Sequence, residues 1–406
     1  MLRGLVHSSL GSILGHRILI QDSLGGAVKC SQPGEVDSTP TIHVQSPEFY
    51  RRVVMHGALG AAESYRHGEW VTSDLVELLR TLARHLPELS RIERAGAIFL
   101  RPFRLVDSWL RRNSRSGSKK NISAHYDLSN DFFELMLDPT MTYSSGIFSR
   151  PEMSLKEAQL EKFDQVCRKL NLREGDRLLE IGTGWGGFAE YAALHYGCHV
   201  TTTTISDQQY EYVRQRLRER QLDSCVKLVK QDYRDIDGQF DKLVSIEMVE
   251  AVGHQFLGRY FAKCSRLLKP TGMMCLQVIT IPDHRYDHYR RSVDFIQRYI
   301  FPGGCLPSFS VMTRCLAKAT DFRLLQSQDF GFDYAATLRH WRSNFWEHIE
   351  RVRSLGFDDK WIRTWDFYLC YCIAGFLERQ IGVSQIVLAK PQAHRLLADG
   401  SGFLFE

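Results

Sequence analysis

The sequence predicts an α/β protein with a doubly wound, seven-stranded and mostly parallel sheet, preceded by a smaller and mainly helical domain. Two observations support this prediction. Short apolar segments alternate with helical segments after residue 120, which is typical of a parallel sheet with helices on both faces. Polar residues or glycine also stand at the ends of four of these segments, where such sheets bind ligands. They are Gly182, Thr204, Asp232 and Glu247.

Seven segments qualify as strands because each is short, apolar or threonine-rich, and bounded by turn residues. In chain order they are residues 177–183, 198–204, 226–231, 242–247, 273–280, 323–328 and 386–390. Helical periodicity fills most of the intervals between them. The chain from residue 121 to 406 is therefore predicted to form one domain.

Residues 1–120 are predicted to form the smaller domain, with short strands followed by helices. Helical periodicity begins at Pro47 and includes the glycine-bounded segment HGALGAAESYRHGEW. We place the domain boundary near Lys120, at the end of a basic segment.

The composition is that of a globular protein, with 44% hydrophobic and 24% charged residues among 406. No run of eighteen apolar residues predicts a membrane span, and the N-terminus lacks the features of a signal peptide. The ten cysteines are scattered without zinc-ligand spacing. They predict buried thiols in a reducing cytoplasm and no metal site.

The basic segment, residues 101–121, concentrates positive charge that the chain as a whole lacks. It holds seven Lys and Arg and one acid, whereas the formal net charge of the chain is only +5. Apolar residues are interleaved in its first half. Such a segment fits an anionic lipid surface, a nucleic acid or a solvated linker.

Residues 281–308 interrupt the strand–helix pattern after the fifth strand. The segment is rich in aromatic residues and arginine, and it contains Pro-Gly-Gly. An insertion at this position would cover the mouth of the sheet, so it predicts a substrate-covering lid. The alternative is an ordinary surface helix and turn.

The first strand leads into the glycine-rich turn of DRLLEIGTGWGGFAEYAA, residues 176–193. Gly182, Gly184 and Gly187 match the dinucleotide pattern G-x-G-x-x-G. The acid that would hold the ribose of NAD about 20 residues later is absent, because the next strand ends in threonines. An acid instead precedes the turn, at Glu180. This arrangement disfavours NAD and fits a nucleoside that carries a carboxylate and an amine, such as S-adenosylmethionine.

Several segments resemble the cyclopropane-fatty-acyl-phospholipid synthase and mycolic acid cyclopropane synthase family, which belongs to the Rossmann-like class I methyltransferases. They are SAHYDLSNDFFELMLDPTMTYSSGIF, LLEIGTGWGGFAEYAA, TTTTISDQQ, QDYRDIDGQFDKLVSIEMVEAVG, FIQRYIFPGGCLPS and YLCYCIAGFLERQIGVSQIVLAKP. GALGAAESYRHGEW resembles the smaller, lipid-side domain of these enzymes. The resemblance covers nearly the whole chain.

The resemblance implies transfer of a methylene carbon from S-adenosylmethionine to the cis double bond of an acyl chain in a phospholipid. It also implies peripheral attachment to a membrane surface and no nucleic-acid partner, and it is compatible with a homodimer. The implied cofactor contacts lie at the methionine end, the glycine turn, the ribose and the adenine. These residues are Tyr143 and Ser144, Gly182 and Gly184, Thr204, Ile205 and Gln209, and Asp232, Tyr233 and Ile246.

The resemblance also implies that the base is a bound bicarbonate, which the family holds with Cys, Glu, His, Tyr and a backbone amide. Glu250 and Tyr368 match the Glu and the Tyr, and the amide belongs to Ile279. This sequence departs from the pattern at Ser145, in place of Cys, and at Gln277, in place of His. Both residues can still donate hydrogen bonds to a carbonate. Alternatively, the anion is lost and another group takes the proton.

Three functions remain open on the sequence. The first is acyl-chain modification, with either a cyclopropane or a methyl-branched or methylene product. The second is methylation of a soluble small molecule, which the aromatic insertion and the basic segment disfavour. The third is a catalytically weak lipid- or cofactor-binding protein, motivated by Ser145 and Gln277. For single residues, plainer roles stay open: a core tyrosine at Tyr368 and a helix N-cap at Asp232.

Overall fold

The computed structural model describes residues 2–4, 6–7, 17–22, 39–89 and 129–393. The basic segment and the boundary predicted near Lys120 lie outside the described residues. The described chain forms two compact units. Among the described residues, the small unit takes those up to residue 89 together with Arg291–Ile300 and Leu338–Gln380. The large unit takes residues 129–290, Phe301–Thr337 and residues 381–393.

The regular elements are numbered here in chain order. The strands are β1 (Leu19–Asp22), β2 (Thr41–Val44), β3 (Trp70–Val71), β4 (Arg177–Ile181), β5 (His199–Thr204), β6 (Val226–Lys230), β7 (Phe240–Ile246), β8 (Leu268–Thr280), β9 (Arg323–Asp329) and β10 (Gly382–Ala389). The helices are α1 (Glu48–Arg66), α2 (Leu75–Arg84), α3 (Asn130–Met136), α4 (Leu155–Lys169), α5 (Gly187–Tyr196), α6 (Asp207–Glu219), α7 (Leu257–Leu267), α8 (Asp283–Tyr289), α9 (Phe295–Tyr299), α10 (Phe309–Ala319), α11 (Gly331–Glu347), α12 (Ile349–Ser354) and α13 (Asp359–Leu377).

The small unit combines a short sheet with helices from distant parts of the chain. β1 pairs in parallel with β2, which pairs antiparallel with β3. α13 packs against α1 and α2 because its apolar residues are buried along most of its length. At its end, Glu378 accepts hydrogen bonds from Arg80 Nε at 2.7 Å and Arg84 Nε at 2.9 Å. The small unit thus takes up segments that the sequence assigned to the domain 121–406, and that domain division stays a prediction.

The large unit contains the predicted doubly wound sheet. Its seven strands lie in the order β6-β5-β4-β7-β8-β10-β9. The first five are mutually parallel, and β10 is antiparallel to both of its neighbours. The α/β fold class and the seven predicted strands are confirmed. β8 begins five residues before the predicted start because Leu268 pairs with Phe240 ahead of a register shift.

Both faces of this sheet are covered, as the apolar strands predicted. Successive strand residues point to opposite faces, and Leu178 and Leu179 accordingly belong to two different core clusters. One cluster includes Phe163 and Phe188 from α4 and α5. The other includes Phe261 from α7. The sheet is therefore a rigid platform, and the carboxyl ends of its parallel strands form one edge.

Among the helices that the structure describes, none combines the length and the apolar character that a membrane span requires.

Candidate active site

The glycine turn joins β4 to α5 at the carboxyl edge of the sheet. Gly182, Gly184 and Gly186 all have positive φ, at 96°, 52° and 87°, which L side chains rarely adopt. A Cβ at Gly187 would lie only 2.7 Å from the carbonyl oxygen of Thr140. The turn therefore brings bare backbone to the start of a ten-residue helix, and this cradle fits the polar end of S-adenosylmethionine.

The residues predicted on the ribose side come together at the end of β5. Ser206 caps α6 by accepting a hydrogen bond from the backbone N–H of Gln209 at 3.3 Å. This cap brings the Gln209 side chain back to the strand, where the Thr204 hydroxyl donates to its Oε1 at 2.9 Å. Ile205 lies between the strand and the cap. These three residues thus lie together at the carboxyl edge of the sheet, where β5 ends.

The residues predicted near the adenine follow β6 and end β7. Asp232 caps the 3-10 turn Tyr233–Asp235 and accepts from Arg234 N and Nε, at 2.9 and 2.8 Å. It therefore has the capping role that the sequence left open. The Tyr233 ring packs edge-on against another ring at 5.5 Å between centroids. Ile246 is the last residue of β7.

Of the residues predicted at the methionine end, Ser144 is held by a buried lysine that the sequence did not single out. Lys162 Nζ donates to Ser144 Oγ at 2.8 Å and to Gln159 Oε1 at 2.6 Å. Gln159 Nε2 in turn donates to the Ser144 carbonyl oxygen at 2.9 Å. Both side chains come from α4, which starts at a Ser154 capping box. The ring of neighbouring Tyr143 packs edge-on against Phe133 at 5.3 Å.

Lys162 is the cation of an otherwise acidic buried cluster. Burial lowers the pKa of its ammonium group, while Glu247, Asp138 and Glu180 act in the opposite direction. Burial raises the pKa of Glu180 to about 8, although the Thr202 hydroxyl donates to its Oε2 at 2.5 Å. A lysine within an amphipathic helix gives no sequence signal of such a role, because most are solvated.

Glu247 ties together two segments of the predicted catalytic set. Its Oε1 accepts from the Ser145 N–H at 3.0 Å and from Gln277 Nε2 at 2.8 Å. Its Oε2 accepts from the Tyr334 hydroxyl at 2.7 Å. Its backbone has φ of 50°, a costly conformation for a non-glycine residue. Its position at a strand end is the one signal of this role in the sequence, and no catalytic role was predicted for it.

Glu250 lies one short turn beyond β7, in the 3-10 turn Val249–Ala251. Its Oε1 accepts a hydrogen bond from the Ile279 N–H at 2.6 Å. Its Oε2 is buried without a hydrogen-bond partner among the described residues. Burial and the negative charge of Glu247 raise the pKa of this carboxyl group to about 8. Glu250 can therefore accept a proton within a desolvated site.

The two residues that depart from the family pattern are fully engaged. Gln277 Nε2 also donates to the Ser145 carbonyl oxygen at 3.3 Å, and Gln277 Oε1 accepts from Gln385 Nε2 at 3.1 Å. The Ser145 hydroxyl donates to the Gly146 carbonyl oxygen at 2.9 Å. The structure thus brings Ser145 and Gln277 together, and separately Glu250 and Ile279, with Glu247 beside both pairs. Because the donors of Gln277, Ser145 and Ile279 are already paired within the chain, the site does not fit a bicarbonate bound by them.

Tyr368 belongs to the small unit, in α13, whereas the other predicted catalytic residues belong to the large unit. Within its own unit it is buried, with its ring edge-on to Trp365 at 5.2 Å between centroids. This environment matches the core tyrosine that the sequence left open. Its catalytic role stays a prediction. Within the described ranges, no group of His, Cys, Asp and Glu could hold a metal ion.

Comparison with known proteins adds independent information. Residues 113–386 match the family model described as mycolic acid cyclopropane synthetase. The chain is 38% identical over 361 residues to the tuberculostearic acid methyltransferase UfaA1 of Mycobacterium tuberculosis, covering 86% of this chain and 83% of that protein. It is 35% identical over 376 residues to the cyclopropane-fatty-acyl-phospholipid synthase of Escherichia coli, covering 90% of each. The solved mycolic acid cyclopropane synthase CmaA1, complexed with SAH and CTAB, superposes with a TM-score of 0.63 at 32% identity, over 67% of this chain and 98% of that one.

Proposed function

Because the chain belongs to the mycolic acid cyclopropane synthetase family of S-adenosylmethionine-dependent methyltransferases, we propose that it adds a one-carbon unit to a cis double bond in the acyl chain of a phospholipid. The observation that carries this proposal is the pair Glu247 and Glu250 at the same sheet edge as the glycine turn, with one Glu250 oxygen buried and unpaired among the described residues. An alkylated alkene is a carbocation, and it must lose a proton to a nearby base.

The described residues can perform the remaining tasks. The cofactor, when bound, supplies an electrophilic methyl group on a sulfonium. In this proposal the glycine turn and the start of α5 receive its polar end, and Ser144, to which Lys162 donates a hydrogen bond, contacts its methionine end. Proximity and exclusion of water must lower the barrier, since an isolated alkene is a poor nucleophile. No step is assigned to bicarbonate, because its expected donors are engaged by other groups of the chain.

The site of proton loss decides the product. Loss from the newly added methyl group closes a cyclopropane ring. Loss from an adjacent chain carbon gives an unsaturated, methyl-branched chain. A methylene-bearing chain forms if a hydride first shifts from the methyl-bearing carbon to the cation and the new methyl group then loses the proton. The named relatives include both a cyclopropane synthase and a tuberculostearic acid methyltransferase. We propose ring closure as the first candidate. Methylation of a soluble small molecule is the alternative that the aromatic segment 281–308 disfavours.

The test combines purified protein, methyl-labelled S-adenosylmethionine and liposomes of a cis-unsaturated phospholipid. We expect the label in the acyl chains, read by NMR and mass spectrometry after extraction, and no label with a saturated phospholipid of the same head group. Label in a ring methylene supports cyclopropanation. Label in a methyl or exocyclic methylene identifies a branching enzyme. Absence of label in any lipid, with the cofactor bound, would refute the lipid proposal.

We also propose peripheral attachment to the membrane through the basic segment, which lies outside the described residues. Reversing the charge of Arg111, Arg112 and Arg115 to Glu should weaken binding to anionic liposomes at least about 100-fold, because each basic residue near the surface contributes about 1 kcal/mol. Sedimentation with liposomes measures the effect. The matched control reverses three exposed arginines, Arg214 and Arg218 in α6 and Arg220 directly after it. If both variants lost the same liposome affinity, the effect would be one of net charge and the role proposed for the basic segment would be wrong.

A further inference from the structure

Two of the donors expected to hold an external carbonate, at Gln277 and Ile279, are already paired with the chain's own carboxylates. Gln277 Nε2 and the Ser145 N–H converge on one oxygen of Glu247, at 2.8 and 3.0 Å. The Ile279 N–H is paired with Glu250 at 2.6 Å. The Ser145 hydroxyl points to a backbone carbonyl. A carbonate could bind the Gln277 and Ile279 donors only by displacing a carboxylate that they already stabilise.

The charges of the site also disfavour binding of an external carbonate. Glu247 and Glu250 are both desolvated, and the charge of Glu247 already disfavours the charged form of Glu250. A further anion beside them would increase that repulsion in a site of low dielectric constant. Replacing a histidine by Gln277 also removes a side chain that could become cationic and attract an anion.

We propose that this chain carries its base in its own sequence: Glu250 takes the proton, Glu247 occupies the place of the external anion, and turnover needs no bicarbonate. This inference rests on the proposed lipid alkylation. In the step, the C–H bond of the carbocation breaks and its proton moves to Glu250 Oε2. The electron pair of that bond forms the new C–C bond of the ring, or the C=C bond of the branched product. Glu250 later releases the proton to solvent.

Glu247 acts through Glu250 and is a positioning residue. It holds the Ser145 and Gln277 segments, and its negative charge makes Glu250 a stronger base. The groups that face this pair are the Tyr334 hydroxyl, the ammonium of Lys162, and the Ile279 N–H. Behind Lys162 lie the carboxylates of Asp138 and Glu180.

The pH dependence follows from this arrangement. Glu250 works as a base only when deprotonated, and its raised pKa means that the rate should increase with pH through a midpoint of about 8. Glu247→Gln keeps an oxygen for Ser145 and Gln277 and removes the charge. The midpoint should therefore move to lower pH by about one unit, with a lower plateau because a weaker base removes the proton more slowly.

Tyr334→Phe is a second variant in case Glu247→Gln folds poorly. It removes one of the three hydrogen bonds that favour the charged form of Glu247. Glu247 should then be less fully charged and should repel the charged form of Glu250 more weakly. The midpoint of the pH–rate profile should therefore also move to lower pH, by a smaller amount than in Glu247→Gln. A merely structural role of either residue would lower the rate without moving the midpoint.

The deciding experiment measures label transfer in carbon-dioxide-free buffer, with and without added bicarbonate, using a head group that does not titrate. We expect rates that agree within about twofold, whereas a required external base contributes about 10²–10⁴-fold. Restoration of a lost rate by bicarbonate would overturn the inference.

Two readouts do not depend on turnover and separate this inference from the proposed function. Line broadening of ¹³C-labelled bicarbonate in NMR should be absent with the protein–cofactor complex. Difference infrared spectra should contain a carboxylic-acid band that titrates near pH 8 and is missing in Glu250→Gln. A protein that transfers no label would refute the lipid proposal, while bound bicarbonate, or a missing Glu250 band, would refute the built-in base.

Discussion

Replacing Glu250 by Gln is expected to lower turnover by about 10²–10⁴-fold, the usual contribution of a general base. The amide oxygen of Gln can still accept the hydrogen bond of the Ile279 N–H, which Glu250 Oε1 accepts at 2.6 Å. The short turn should therefore keep its shape, and only proton uptake should be lost. Single-turnover label transfer measures the rate, and calorimetry should give an unchanged affinity for S-adenosylmethionine.

Two further variants control this experiment. Glu250→Asp keeps a carboxylate on a shorter side chain, so it should recover part of the activity that Gln loses. Glu152→Gln makes the same chemical change at an exposed position and should behave as wild type. Full activity of Glu250→Gln would exclude this carboxylate from the chemistry, whatever the product.

Replacing Lys162 by Met is expected to weaken both the fold and cofactor binding. The ammonium group donates to Ser144 and Gln159 in the interior, and its removal leaves two buried acceptors without their donor and Glu247 without its cation. Such losses cost about 3 kcal/mol of unfolding free energy. Because Ser144 also loses an anchor worth about 1.4 kcal/mol, affinity for S-adenosylmethionine should fall about tenfold. Urea denaturation and calorimetric titration measure the two effects.

Lys242 offers a matched control because it is also a buried lysine of the large unit. Its Nζ donates to the Leu170 carbonyl oxygen at 2.6 Å, and it lies near the start of β7, away from the carboxyl edge. Lys242→Met should lower the unfolding free energy and leave cofactor affinity unchanged. If both variants lost affinity equally, the effect would be one of general stability and the role given to Lys162 would be wrong.

The sequence predicted those parts of the molecule that depend on local patterns. Short apolar or threonine-rich segments predicted all seven strands of the large sheet. Central strands such as β4 are buried along nearly their whole length and need an almost uninterrupted apolar run, whereas the edge strand β9 is mostly exposed. The glycine turn was visible for a similar reason: positive φ at Gly182 and close approach at Gly187 require residues without a side chain. The edge residues followed from the topology of parallel strands.

The missed features depend on contacts between distant segments. Lys162 is seven residues from Lys169 on the same helix, and only tertiary structure makes the first of them the buried partner of Ser144. Glu247 is predictable only as a strand-end residue, since nothing local reveals that Ser145, Gln277 and Tyr334 converge on it. The departures at Ser145 and Gln277 are visible in the sequence, but their contacts with that carboxylate are not.

The way the chain is shared between the two units limits how this protein can be cut or recombined. Within the described part, the chain changes unit after Arg290, Ile300, Thr337 and Gln380. Neither unit is therefore encoded by one contiguous stretch of the gene. A truncation that begins at residue 121 would strip α13 of the helices it packs against, so exchange of the small unit with that of a relative would require several coordinated crossovers rather than a single fusion point.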